Sequence, residues 1–118
     1  RPEDLGRVRN RPGKSATKVE IINSIDRKHP LEDIARVQGK DLLELIDELE
    51  SIVYSGTKLK LDYAIYDLMD EEDVREIFEY FSNAETDHME EAIAELGSAY
   101  KEEELRLVRL KFICEVAN

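Results

Sequence analysis

Apolar residues recur along this chain at helical spacing, in six or seven blocks set apart by proline, glycine or clustered polar residues. In the first block Val19, Ile22 and Ile25 follow at three-residue steps. That spacing predicts a helix with Ser15 as its N-cap, running to about Arg27 and ended by Pro30, because residues before a proline avoid helical angles. Leu31, Ile34 and Ala35 mark the buried edge of a two-turn helix, and Gly39 supplies the bend after it. A third helix is expected from Asp41 as cap. Its residues Leu42, Leu45, Ile46, Leu49, Ile52 and Val53 form one apolar stripe, and Gly56 terminates it.

Residues 57–61, "TKLKL", alternate polar and apolar, as a short extended piece or wing would. Leu61, Ile65, Leu68 and Met69 favour a helix over the same stretch, with Asp62 as its cap. The preferred reading is a short extended link and then a helix to Met69. Asp70 opens a further helix with Val74, Ile77, Phe78 and Phe81 on one face. "DHME" at 87–90 has capping-box form with Asp87 in the cap, and Met89, Ala92, Ile93 and Leu96 follow on one side before Gly97. The last helix is expected from about Glu102 to Val116. Leu105, Val108 and Phe112 lie on one side of it, with Leu107, Leu110 and Cys114 widening the stripe. Arg106, Arg109 and Lys111 complement its dipole. The fold class is all-α: one domain in which a tri-helical helix-turn-helix unit (17–56) precedes the C-terminal helices (57–118).

Charge divides the chain differently. Residues 1–18 carry six cations against two carboxylates, a net +4, and hold two of the three prolines; residues 1–16 read as a flexible basic arm or interdomain linker. Residues 19–118 carry eleven cations against 26 carboxylates, a net −15. Between Asp41 and Gly56 the third helix has Glu44, Asp47, Glu48 and Glu50 and neither Lys nor Arg; Arg36, Lys40, Lys58 and Lys60 flank it. A helix of that sign opposes docking in a DNA groove, where affinity comes largely from Lys and Arg neutralising phosphates. The nucleic-acid contact candidates are therefore the arm residues Arg7, Arg9, Arg11, Lys14 and Lys18. Glu44, Asp47 and Glu48 are candidates for a strip that meets a basic partner.

No catalytic chemistry is legible. His29 and His88 are far apart, Cys114 stands alone, and no Cys or His pair has zinc spacing. No glycine-rich phosphate cradle occurs. The histidines read as helix-end residues and Cys114 as a small core residue in a reducing, cytoplasmic setting. No apolar run reaches the length of a membrane span. The start at Arg1 and not Met reads as a piece of a longer protein.

"LEDIARVQGKDLLELIDELESIVYSG", "DEEDVREIFEYF" and "EEELRLVRLKF" resemble the helix-turn-helix module at the C-terminus of bacterial RecQ-type ATP-dependent DNA helicases, over about residues 17–118. "SGTKLKLDYAI" and "ELRLVRLKFICEVAN" are similar to those of the Bacteroides and Porphyromonas kind. Lys40 stands where the family often has an apolar residue, and Glu44 and Glu48 where related modules often have Thr and His. The resemblance implies a parent that unwinds DNA 3′ to 5′ in recombination and repair. ATP, magnesium and zinc would belong to its upstream domains, with no cofactor here. This chain would then be a non-catalytic accessory domain that helps place the enzyme on DNA or on a partner. The alternative is a protein-interaction or autoregulatory module that uses its acidic surface.

Overall fold

Three successive helices of this chain stop in the same way. A computed structural model describes residues 10–117, with side chains described from Ala16 to Val116. Helix α1 spans Asn10–Asp26, α2 Leu31–Val37 and α3 Leu42–Tyr54. After each, one residue turns left-handed: Lys28 at φ +63°, Gly39 at +70° and Gly56 at +107°. Each turn carries the paired hydrogen bonds of a Schellman cap, in which two amides reach back to the last exposed carbonyls. His29 N donates to Ser24 O and Lys28 N to Ile25 O; Lys40 N donates to Ala35 O and Gly39 N to Arg36 O; Thr57 N donates to Ile52 O and Gly56 N to Val53 O. Glycine adopts this backbone without a Cβ penalty and lysine does not. Of these three helices, only α1 is closed by a residue other than glycine.

The remaining helices are α4 (Asp62–Leu68), α5 (Glu71–Asn83), α6 (Met89–Leu96) and α7 (Glu102–Phe112), and α7 runs on into one π-helical turn, Ile113–Ala117. Among the described residues there is no strand. Residues 57–61 are a link without strand structure and not a wing: Leu59 and Leu61 are buried, while Lys58 and Lys60 are exposed. Helix α7 lies at the centre and packs against α3, α4, α5 and α6. Leu105, Leu107, Val108 and Leu110 are buried on it, although six of its eleven residues are charged, and Arg109 is buried with them. The core joins Ile21 and Ile25 of α1, Leu45, Ile46, Leu49 and Ile52 of α3, Ile65 of α4 and Ile77 and Phe81 of α5 to that axis. Phe78 and Phe81 pack on Phe112 at ring separations of 5.6 and 6.1 Å.

Several local expectations are corrected. Helix α1 starts at Asn10, ahead of the Ser15 cap, so the end of the expected flexible arm has helical backbone. Pro12 falls in the first turn, where a missing amide hydrogen costs nothing. Ile21 and Ile25, one helical turn apart, form its buried edge; Val19 is exposed and Ile22 only half-buried. Asp62 is the first residue of α4 and not its cap, since Leu61 occupies that position and its carbonyl accepts from Ala64 N and Ile65 N. His88, and not Asp87, is the N-cap of α6, and Ile93 on that helix is exposed.

Candidate nucleic-acid interface

The carboxylates of α3 do not form one open strip. Asp41 and Glu44 close a reciprocal capping box: Glu44 N donates to Asp41 Oδ1 at 2.8 Å and Asp41 N to Glu44 Oε1 at 2.9 Å. Each satisfies an amide that the first turn would otherwise leave unpaired. Lys40 Nζ stands 3.9 Å from Glu48. Asp47 and Glu50 meet α7. Arg106 holds Glu50 through Nε at 3.1 Å and Nη2 at 2.8 Å, and the same Nη2 lies 2.5 Å from Asp47 Oδ1. Arg109 Nη2 donates to Glu50 Oε2 at 2.7 Å, and its Nη1 donates to the Asp87 carbonyl at 3.1 Å.

These contacts set the electrostatics of the face. Hydrogen bonds that it donates to Glu50 and Asp47 hold the Arg106 guanidinium charged beyond its ordinary range, against the opposing effect of burial. Burial pushes the Tyr54 phenol up, and Arg109 partly offsets it. Arg106 and Arg109, read from the sequence as partners of their own helix's dipole, reach across to another helix. The signal that marks them is a shared period. Asp47 and Glu50 are three apart on one helix, as are Arg106 and Arg109 on the other, so each pair lies on one face.

Of the arm candidates, Arg7 and Arg9 lie outside the described residues. Arg11 and Lys14 lie on α1 with side chains outside the described set. Lys18 donates to Ser51 Oγ at 2.8 Å, which ties α1 to the exposed side of α3. Of the partner candidates, Glu44 and Asp47 remain exposed and Glu48 is half-buried beside Lys40. The structure thus brings Lys18 to the edge of α3 and splits Glu44, Asp47 and Glu48 among three different internal partners.

Cys114 is buried in the core. Among the described residues, no three His, Cys, Asp or Glu side chains converge as metal ligands, and no helix is long and apolar enough to cross a membrane. No curated protein matches the chain. Residues 15–65, which take in most of α1, all of α2 and α3, the link and the start of α4, match the family model of the RecQ-1-like helix-turn-helix domain, and it is to this family that the N-terminal half of the chain is similar.

Proposed function

We propose that this chain is a non-catalytic accessory domain of a RecQ-type ATP-dependent 3′–5′ DNA helicase, and that it helps place the enzyme on DNA during recombination and repair. The observation that carries this reading is the match of residues 15–65 to the RecQ-1-like helix-turn-helix domain, over a segment that folds as three packed helices. ATP, magnesium and zinc belong to other parts of such a helicase. The exposed side of α3 carries Glu44 and Asp47, so contact with phosphate falls to cations elsewhere, the arm among them. A second reading, docking of a basic partner protein on α3, is favoured by the exposure of those same two carboxylates.

Binding of a labelled forked duplex across a salt series tests the proposal. The full chain is compared with a variant in which Arg7, Arg9, Arg11, Lys14 and Lys18 are changed to Gln, a better control than truncation because α1 begins at Asn10 and anchors the core through Ile21 and Ile25. The expected result is measurable binding by the parent chain and a shallower salt dependence in the variant. Absence of binding by the full chain at low salt ends the DNA reading and leaves the partner-docking one.

A further inference from the structure

A groove of about 400 Å³ opens where the end of α1, the 57–61 link, the start of α4 and the π-helical turn meet. Leu59, Leu61 and Cys114 are buried beneath it. Around it stand Lys28, Lys58, Lys60 and Lys111, with Asp62 and Glu115 as the acidic members. Both carboxylates are engaged by Lys111, which lies 2.9 Å from Asp62 and pairs with Glu115 one turn along its own helix.

The distribution of cations makes this groove exceptional on an acidic body. Of the eleven cations after Lys18, Arg36, Lys40, Arg75, Arg106, Arg109 and Lys111 are held in ion pairs. Among the described residues, Arg27, Lys28, Lys58, Lys60 and Lys101 are not, and three of those five line this one groove. The alternation of the link sets Lys58 and Lys60 on its outer side.

Lys28 adds an independent sign. It occupies the left-handed position of a Schellman cap that α2 and α3 fill with glycine, at φ +63°. A strained non-glycine residue in that position is an observation that points toward function, because glycine there would make the fold more stable.

We propose that this groove seats the phosphodiester backbone of a nucleic acid, gripped by Lys28, Lys58 and Lys60. The inference rests on the DNA-placing reading and deepens it: the contact moves off the acidic α3 and onto the link and the α1 cap. Lysine ammonium groups are point-charge donors that neutralise phosphates and fix register without reading sequence.

The test measures anisotropy of a labelled forked DNA with the full chain between 50 and 200 mM salt. The comparison set is Lys28→Gly, the triple variant Lys28→Gly/Lys58→Ala/Lys60→Ala, and Lys101→Ala as a control cation outside the groove. Each phosphate contact contributes about 0.9 to the slope of log affinity against log salt, so the triple variant is expected to lose about 2.7 of it. Over that salt range the parent chain then weakens by roughly fortyfold more than the triple variant. Lys101→Ala keeps the parent slope. Lys28→Gly raises the thermal midpoint by about 3 °C while weakening binding, a divergence that a merely structural lysine does not produce. Parent binding with an unchanged slope in the triple variant overturns the groove and leaves the accessory-domain reading standing. So does stronger competition by polyglutamate than by DNA of equal charge, which would make the groove a seat for an acidic protein. No DNA binding by the parent chain removes both.

Discussion

Glu50 accepts hydrogen bonds from Arg106 and Arg109 at 2.7 to 3.1 Å with only 16% of its side chain exposed, and Arg109 Nε is buried without a partner of its own. Removing one member of such a set leaves two guanidinium groups at the α3–α7 seam with their main carboxylate gone. Glu50→Ala is therefore expected to cost about 3 kcal/mol in urea unfolding. Asp47 shares Arg106, but its side chain is 67% exposed, so Asp47→Ala is expected to cost less than about 1 kcal/mol. Equal losses from the two substitutions would count against this division of labour. The contrast explains how a carboxylate-rich face is tolerated: its most buried member is the one best neutralised.

At the scale of elements, α2 and α3 are joined by a turn whose geometry depends on Gly39. A Cβ added there meets nothing within 4 Å, so backbone conformation alone opposes a side chain. Gly39→Ala is expected to destabilise the chain by about 1 kcal/mol, with helix content otherwise preserved by circular dichroism. A neutral outcome would show that the turn relaxes at no cost. The glycine stops, the α2 edge Leu31, Ile34 and Ala35, and the α3 stripe were all legible in the sequence, because each depends on residues within a turn or two of one another. The α6 cap was not. Asp87 has the capping residue type, yet its carbonyl is engaged by Arg109 from α7, and the Thr86 hydroxyl donates to Glu91 in the first turn of α6.

For the whole molecule, charge is the variable that pH can move. The Tyr100 hydroxyl donates to Glu76 on α5, and that hydrogen bond together with burial pushes its phenol above the ordinary range. Burial opposes the Lys111 charge, but the hydrogen bonds it donates to Glu115 and Asp62 outweigh that and raise this group too. A group whose folded pKa is raised contributes stability that is full below its unfolded value and falls as pH rises past it. Unfolding free energy is therefore expected to be level near neutrality and to decline above about pH 10, the ordinary range of both groups. Tyr100→Phe removes the phenol's share, so its decline is shallower. Urea midpoints at pH 8, 9.5 and 11 check this, and parallel declines in the two proteins would refute the assignment to Tyr100.

Residue order along the chain set the helices, most of their ends and most of the faces they bury, because periodicity and glycine placement act over a few residues. It also set the sign of α3, which opposes groove insertion by that helix on charge alone. Which charges remain available depends instead on how the helices pack. Arg106 and Arg109 are spent on α3 from more than fifty residues away, and Lys111 on α4 from nearly as far. Lys28, far from Lys58 and Lys60 in the chain, comes with them to one groove. The physical reason is range: hydrogen-bonded helix geometry is set locally, whereas pairing or freeing a charge depends on which side chain the fold carries within a few ångströms of it.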